Sequence, residues 1–459
     1  MQQITTLSCE GFRGFQREGT LRLAIPDGQI GSGLTVLVGP NGGGKSTLID
    51  AFRKLTHARD TSFTEGKRNH AAGGRVKISV TVNGKSGALK TVAAGGSETE
   101  WQSDDGIQPP KVFFLPSRRV FNPYFGKGHW SRDAYMQNVG EFQYRGQSID
   151  NFSHRLFKAL DRKDDFAPMF RRIYGRNLDW TIDQNDQGGY YVKVTKPSGA
   201  QHNSDGLGEG IISLLFIVDA LYDSADDEIL VIDEPELSLH PQLQRRLLAE
   251  LIRLSATRQI VVATHSPEMV SVPAIINGME VSRVVDGNEG SVIYRLDEKC
   301  RPVFQSLETD LFNPHTVGYE SRACLFAEDR IIITEGQEDV VFFGKMASDL
   351  GIDSNVQFWG FGAGGSGKIT KIAAILKSLG FEHIGAIYDG DKAHEAEQFR
   401  AEFIDYKCWV LPADDIRDKT DAHGDVVKMG IFGINKKIKP QFENQCRKLL
   451  QELLVFVNG

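Results

Sequence analysis

Apolar and polar positions divide the chain into two stretches in which strands and helices alternate. Leu34-Thr-Val-Leu-Val38 is a nearly continuous apolar run, the mark of a strand buried on both faces. A glycine-rich turn follows, and then Leu48, Ile49, Phe52 and Leu55 fall at helical spacing. Val76-Lys-Ile-Ser-Val-Thr-Val82 alternates with period two inside a polar, glycine-rich region, which predicts antiparallel strands. The apolar run Ile211 to Leu221 is broken by Asp219 and is too short to cross a bilayer, so it predicts a buried helix. Apolar strands at Ile229–Asp233 and Gln259–Ala263 flank a helix at Gln242–Leu254, the alternation of a parallel α/β sheet. A second α/β unit follows, with strands at Ile331–Thr334, Val356–Trp359, Ile384–Tyr388 and Trp409–Leu411. Helices are predicted between them at 337–350 and 367–379.

Composition narrows the picture. The 459 residues carry a formal charge of −7, so any nucleic-acid contact must come from local patches or metal ions. One such patch is 111–176, with 13 Lys/Arg against 6 Asp/Glu and interleaved aromatics, among them Phe121, Tyr124, Phe125, Trp130, Tyr135, Phe142, Tyr144 and Phe152. This segment either tracks nucleic acid, with Arg118 and Arg119 foremost, or supplies core and subunit contacts. The five cysteines are scattered without a CxxC pair, which points to reduced thiols in a cytoplasm rather than disulfides or zinc. The first residues lack the charged head and apolar stretch of a signal peptide, and no membrane partner is expected.

Three motifs carry nucleotide chemistry. Gly39-Pro-Asn41-Gly42-Gly-Gly44-Lys45-Ser46-Thr47 fits the full phosphate-loop pattern between a strand and a helix. Backbone amides would cradle phosphates, Lys45 would reach the β/γ-phosphates, and the Ser46 hydroxyl would ligate Mg²⁺. Ile229-Leu-Val-Ile-Asp233-Glu234 places two carboxylates at a buried strand tip, Asp233 for the Mg²⁺ shell and Glu234 to polarise the attacking water. Val261-Val-Ala-Thr-His265-Ser266 ends a neighbouring strand in a histidine placed to sense the γ-phosphate.

Together these residues resemble the ABC-type ATPase heads of the SMC and RecF-like group, including Gly11-Phe12-Arg13-Gly14-Phe15, which is similar to that group's Phe-Arg-Gly segment near the nucleotide. The resemblance implies that a signature segment from a second subunit closes over ATP. Its best match is Ser204-Asp-Gly206-Leu-Gly208-Glu-Gly210, and Leu237-Ser-Leu-His240 matches the dimer-contacting loop. A homodimer or higher homo-oligomer formed through the heads follows from it. Some 150 residues separate phosphate loop and signature, too few for long coiled-coil arms.

The second unit has its own acids. Ile331-Ile-Ile-Thr-Glu335-Gly336 and Ile384-Gly-Ala-Ile-Tyr-Asp389-Gly-Asp391 are strands that end in carboxylates, and parallel strands bring such tips to one sheet edge. Clustered carboxylates repel unless a cation neutralises them, and an all-oxygen set suits Mg²⁺ or Mn²⁺. Glu338 and Asp339 are further candidate ligands. The pattern resembles a Toprim domain over about 326–459. Gly362-Ala-Gly-Gly-Ser-Gly-Lys368-Ile369 nearly repeats a phosphate loop, but Ile369 replaces the required hydroxyl, so it reads as a tight turn. An ABC head followed by Toprim resembles the OLD (overcoming lysogenization defect) family.

The expected fold class is therefore α/β: an ABC-type P-loop ATPase head (1–325, with a helical, basic insert over 111–200), then a smaller, Rossmann-like Toprim domain (326–459). The resemblance implies an ATP-dependent, metal-dependent DNA endonuclease in bacterial anti-phage defence, with a second defence component as a further partner. Two-metal hydrolysis would use Glu335, Asp389 and Asp391, and Leu411-Pro-Ala-Asp414-Asp415-Ile416 resembles the acidic segment that follows. Lys419, Lys428 and Lys436 are candidates for an assisting lysine. The alternative is a non-cutting DNA clamp or sensor with a degenerate Toprim domain. Nothing in the sequence supports a primase or a topoisomerase.

Overall fold

The computed structural model describes residues 3–56, 58, 61–117, 126–127, 131, 134, 153–196, 198–203, 208–224, 228–308, 316–352 and 356–458. Two compact units emerge, Met1–Ile293 and Tyr294–Gly459. The division falls ahead of the expected 325/326 boundary because the preceding segment packs on the second sheet. The Trp359 indole donates to the Thr316 carbonyl at 3.0 Å, and Cys324 lies against the Phe358 carbonyl.

The first unit opens with strands β1 (Ile4–Glu10), β2 (Gly19–Arg22) and β3 (Leu34–Val38), then helix α1 (Lys45–Thr56). Strands β4 (Lys77–Val82), β5 (Lys85–Thr91), β6 (Thr99–Ser103) and β7 (Val112–Leu115) precede α2 (Ser153–Asp161) and α3 (Lys163–Tyr174). Next come β8 (Asp179–Gln184), β9 (Tyr190–Thr195), β10 (Gln201–His202), α4 (Glu209–Asp223), β11 (Ile229–Asp233) and α5 (Pro241–Leu254). The unit ends with β12 (Ile260–Ala263), α6 (Val272–Ile276), β13 (Glu280–Gly287) and β14 (Gly290–Arg295).

Among the described residues the central sheet runs β14-β13-β3-β12-β11-β7, parallel from β13 to β7. Its middle strands β3, β11 and β12 are buried at every position, which is why they read as unbroken apolar runs. An antiparallel sheet, β2-β1-β4-β5-β6, is clamped to it by the buried Gln259. Gln259 accepts from the Ile4 amide and donates to the carbonyls of Ile4 and Ala24, all within 2.9 Å.

The expected helical insert over 111–200 needs correction. Val112–Leu115 pairs in parallel with β11 and belongs to the central sheet. Helices α2 and α3 do follow, but 179–195 forms an antiparallel hairpin, with Trp180, Val192 and Val194 alternating inward and a turn at Asn185–Gly189. Arg118, Arg119 and the aromatics named above lie outside the described residues.

The second unit contains α7 (Cys300–Glu308), α8 (Tyr319–Ala323), β15 (Ile331–Ile333), α9 (Gln337–Asp349), β16 (Gln357–Phe358), α10 (Ser366–Ser378) and β17 (Ile384–Tyr388). It continues through α11 (Ala393–Glu402), β18 (Lys407–Val410), β19 (Asp415–Arg417), β20 (Lys419–Thr420), β21 (Val426–Lys428), β22 (Gly430–Phe432) and α12 (Glu443–Asn458). Among the described residues the parallel sheet runs β16-β15-β17-β18. Ile332, Phe343, Met346, Ile387, Ile416, Phe432 and Leu450 knit the sheet, α9, the later strands and α12 into one core. The near-repeat of a phosphate loop, residues 362–369, runs from the turn after β16 into the first turn of α10.

Candidate nucleotide site and acidic cavity

Steric contacts fix the phosphate loop. A Cβ on Gly39 or Gly43 would stand 2.4 or 2.2 Å from the Val284 carbonyl oxygen, and one on Gly44 would stand 2.6 Å from Ser291 Oγ. Gly42 and Gly44 also take φ of 80° and 115°, the left-handed region that disfavours side chains. Asn41 is exposed at the turn, and Ser46 and Thr47 open α1. Lys45 is buried, and its ammonium donates to the Gly39 and Pro40 carbonyls at 2.8 Å each. Burial lowers its pKa to about 8, against the opposing pull of Glu234, Asp233 and Glu236.

The acid strand tip faces that lysine. Asp233 is buried and pairs in register with Ala263. Glu234 adopts φ of 46°, a strained conformation for a non-glycine residue and one that collects at functional sites. Its Oε1 lies 3.6 Å from His265 Nε2. Burial, and then the charge of Lys45, lower the His265 pKa against the pull of Glu234, which favours the neutral imidazole. Glu236 was not singled out from the sequence, yet its Oε1 accepts the His265 amide at 2.6 Å and fixes that strand end. A carboxylate aimed by backbone strain, with a neutral imidazole next to it, can hold and deprotonate a water.

Arg13 is held in an ion pair with Asp50 on α1, which also binds Arg53 at 2.9 Å. Of the signature segment, Ser204 and Gly206 lie outside the described residues, while Gly208 is the N-cap of α4. Just beyond it, Glu209 accepts from Ser238 Oγ at 2.9 Å, which ties the start of α4 to the Leu237–His240 loop.

In the second unit, β15 and β17 end at one sheet edge over a cavity of about 550 Å³. Glu335, Glu338, Asp339, Asp389, Asp415 and Lys419 line it. Glu335 Oε1 accepts the Asp389 amide at 3.0 Å, and its carbonyl accepts the Gly364 and Gly365 amides at 2.8 Å. Asp339 Oδ2 accepts the Gly336 amide at 2.8 Å. Burial raises Glu335, pushes Asp389 to about 8 with Asp339 and Glu335 adding repulsion, and pushes Asp339 to about 7. Asp389 Oδ1 is buried with no hydrogen-bond partner among the described residues.

Not every predicted acid joins this wall. Asp391 stands in the short turn Gly390–Lys392, in an ion pair with Lys428 at 2.6 Å, and does not line the cavity. Glu338 is held by Arg417 at 2.5 Å and by Lys419, which also lies 3.5 Å from Asp415. Lys436 lies in a turn at φ of 55°, outside the residues that line the cavity. Arg417 escaped the sequence reading because nothing local to it signals a partner 79 residues away. Among the described residues no group of three or more His, Cys, Asp or Glu side chains is placed so as to hold a metal ion. The carboxyl groups of Glu335, Asp339 and Asp389 are nonetheless the donor type a hard divalent cation takes, their raised pKa values mark a site that a cation would relieve, and Asp389 Oδ1 is buried and unsatisfied.

Residues 6–166 match a model of an AAA domain, and residues 136–271 match a model described as "AAA domain, putative AbiEii toxin, Type IV TA system". An OLD nuclease of Thermus scotoductus is 27% identical over 425 residues, covering 78% of each chain. The Septu protein PtuA of Bacillus thuringiensis is 22% identical over 281 residues, 53% of this chain and 68% of that protein. Among solved structures, the SMC head domain of Thermotoga maritima aligns with 64% of this chain and 99% of its own, at 19% identity and a TM-score of 0.38. An Smc head of Pyrococcus furiosus, solved with the C-terminal domain of ScpA, aligns with 67% of this chain and 100% of its own, at 13% identity and a TM-score of 0.46. With the phosphate loop and the carboxylate strand already placed, the AAA-domain matches make the first unit a P-loop ATPase.

Proposed function

We propose that the chain is an ATP-controlled, divalent-metal-dependent DNA endonuclease of the OLD type, acting in the cytoplasm in anti-phage defence. The observation that carries this reading is the carboxylate-lined cavity at the β15/β17 edge, with its unsatisfied Asp389 oxygen. The OLD nuclease relative, aligned over most of both chains, supports it. In this reading residues 1–325 are the ATPase domain and 326–459 the Toprim core, with Thr316 and Cys324 of the former in contact with the sheet of the latter.

Glu335, Asp339 and Asp389 would hold Mg²⁺ or Mn²⁺, and Asp391 would join them on exchanging Lys428 for the ion, which would supply a bound water of lowered pKa and stabilise the leaving oxygen. Lys419 keeps Glu338 and Asp415 neutralised, and Lys428 holds Asp391 at the rim. In the ATPase unit, Lys45 and the loop amides bind phosphates, Ser46 and Asp233 serve the Mg²⁺, and Glu234 with His265 positions the water. Ser204, Gly206 and Gly208 meet the ATP of a second copy, so the working unit is at least a homodimer. DNA is the substrate, and a second defence component is a further partner.

Supercoiled plasmid with Mg²⁺ or Mn²⁺, with and without ATP, tests the reading. Wild type should nick or linearise it, and Glu335→Ala and Asp391→Ala should not. Equal cleavage by all three would assign the activity to something other than this cavity. The pairing of Asp391 with Lys428 favours one second reading, a non-cutting ATP-driven DNA clamp. That reading requires ATP-dependent DNA binding with no cleavage in either metal.

A further inference from the structure

Beside the acidic cavity the chain leaves the body of the second unit twice. β20 and β21 form a ribbon with Lys419 opposite Lys428 and Thr420 opposite Val426, and every residue from 420 to 427 is exposed. Val426, Val427 and Met429 are 49%, 64% and 44% exposed. Successive strand residues face opposite sides, so the ribbon shows apolar surface on both faces. A merely solvated ribbon edge is ordinarily polar or charged.

The second excursion is the turn 433–437. The Gly433 amide donates to the Lys437 carbonyl at 3.1 Å, the Lys436 amide donates to the Gly433 carbonyl at 2.8 Å, and Asn435 Oδ1 accepts the Lys437 amide at 3.1 Å. This fixed turn displays Ile434, 72% exposed, with Lys436 and Lys437 exposed next to it. Both excursions are anchored at their bases. Lys428 is held by Asp391, and Lys419 by Glu338 and Asp415. Asp418 accepts both the Gly430 amide at 2.8 Å and Lys439 at 2.6 Å. The ribbon is therefore joined to the wall of the cavity through Lys419, while Val426 and Val427 on its flanks are exposed.

We propose that ribbon 419–428 and turn 433–437 grip nucleic acid, with Lys436 and Lys437 on backbone phosphates and Val426 and Val427 against sugars and bases in a groove. This rests on the nuclease reading of the adjoining cavity. Charge decides the occupant: a polyanion cannot approach a cluster of carboxylates unless cations close by draw it in, and apolar side chains flanked by lysines suit a duplex groove. Asp421 and Asp425 occupy the ribbon tip, where the Asp421 carboxylate accepts the His423 and Asp425 amides at 2.9 Å. Phosphates are repelled there, so contact runs along the flanks.

The test measures binding of a short fluorescein-labelled DNA duplex to the full chain across a KCl series without divalent metal, and plasmid cleavage separately. Lys436→Gln/Lys437→Gln should weaken binding and reduce the slope of log affinity against log salt by about 2. Val426→Ser/Val427→Ser should weaken binding on the order of tenfold at unchanged slope, because the apolar contact releases no counterions. All these side chains are exposed, so both variants should melt as wild type does. Wild-type affinity and slope in both variants would overturn the grip, as would a valine variant that loses self-association but binds DNA normally. Plasmid cutting that is indifferent to both variants would remove the grip and leave the nuclease reading intact. Ribbon-dependent binding by a wild type that never cuts would leave the grip and remove the nuclease.

Discussion

Arg155 reaches from α2 to Asp219 on α4 through two hydrogen bonds, 2.8 Å from Nε and 3.2 Å from Nη2. The arginine is 1% exposed, and it also binds Asp223. Asp219, which interrupts an apolar helix in the sequence, is thus the anchor that fastens α2 to the helix following the expected signature segment. Arg155→Met leaves the buried Asp219 without its ion-pair partner, while Asp223 keeps Arg162 at 3.0 Å, and should cost about 3–5 kcal/mol. Asp219→Leu in the same background should recover part of it, because the stranded charge is removed. Urea unfolding checks both, and a single-variant loss below about 1 kcal/mol would mean the pair behaves as a solvated one.

The water-activating role of Glu234 makes a separable prediction. Its left-handed backbone and the nearby His265 aim the carboxylate, whereas phosphate binding depends on Lys45 and the loop amides. Glu234→Gln should therefore lower ATP hydrolysis by roughly 10²–10⁴-fold with nucleotide affinity close to wild type. Fluorescent-nucleotide titration beside a phosphate-release assay distinguishes this from a binding defect. Parallel loss of both would assign Glu234 to ATP binding instead.

Gly43 is the most confined position of the phosphate loop. Its neighbour is the Val284 backbone, which cannot rotate away, so a Cβ placed 2.2 Å from that oxygen must displace the loop. Gly43→Ala should abolish nucleotide binding while the protein stays folded. Gly42→Ala meets no atom and strains only the backbone, so it should retain measurable affinity.

Sequence patterning exposed the parts of both sites whose chemistry is local. The phosphate loop, the Asp233-Glu234 tip and the strand-ending Glu335 and Asp389 each occupy a few contiguous residues, and parallel pairing carries the last two to a common edge. What stayed hidden depends on register between distant segments. β7 joins the central sheet through pairing with β11, more than 100 residues later, and four apolar residues cannot announce that partner. Asp391 leaves the cavity wall for Lys428, a contact set by the β20/β21 ribbon. The Gln259 clamp unites three segments that share no sequence signal.

Glu250 gives the ATPase unit an acid-sensitive joint. Its buried carboxylate receives Arg172 from α3 at 2.7 and 2.8 Å and Arg253 from its own helix at 2.6 and 3.2 Å. Burial alone would raise its pKa, but the hydrogen bonds and charges of Arg172 and Arg253 outweigh it and bring the group to about 2. A pKa depressed on folding stabilises the fold above the unfolded value near 4.5, and that contribution fades as the pH falls toward 2. Wild type should therefore melt higher than Glu250→Gln at pH 7, and the gap should narrow through the window from about 4.5 down to 2. Melting curves of the two proteins between pH 7 and 3 check the sign. A gap that widens on acidification would mean that desolvation, rather than the two guanidinium groups, governs this carboxylate.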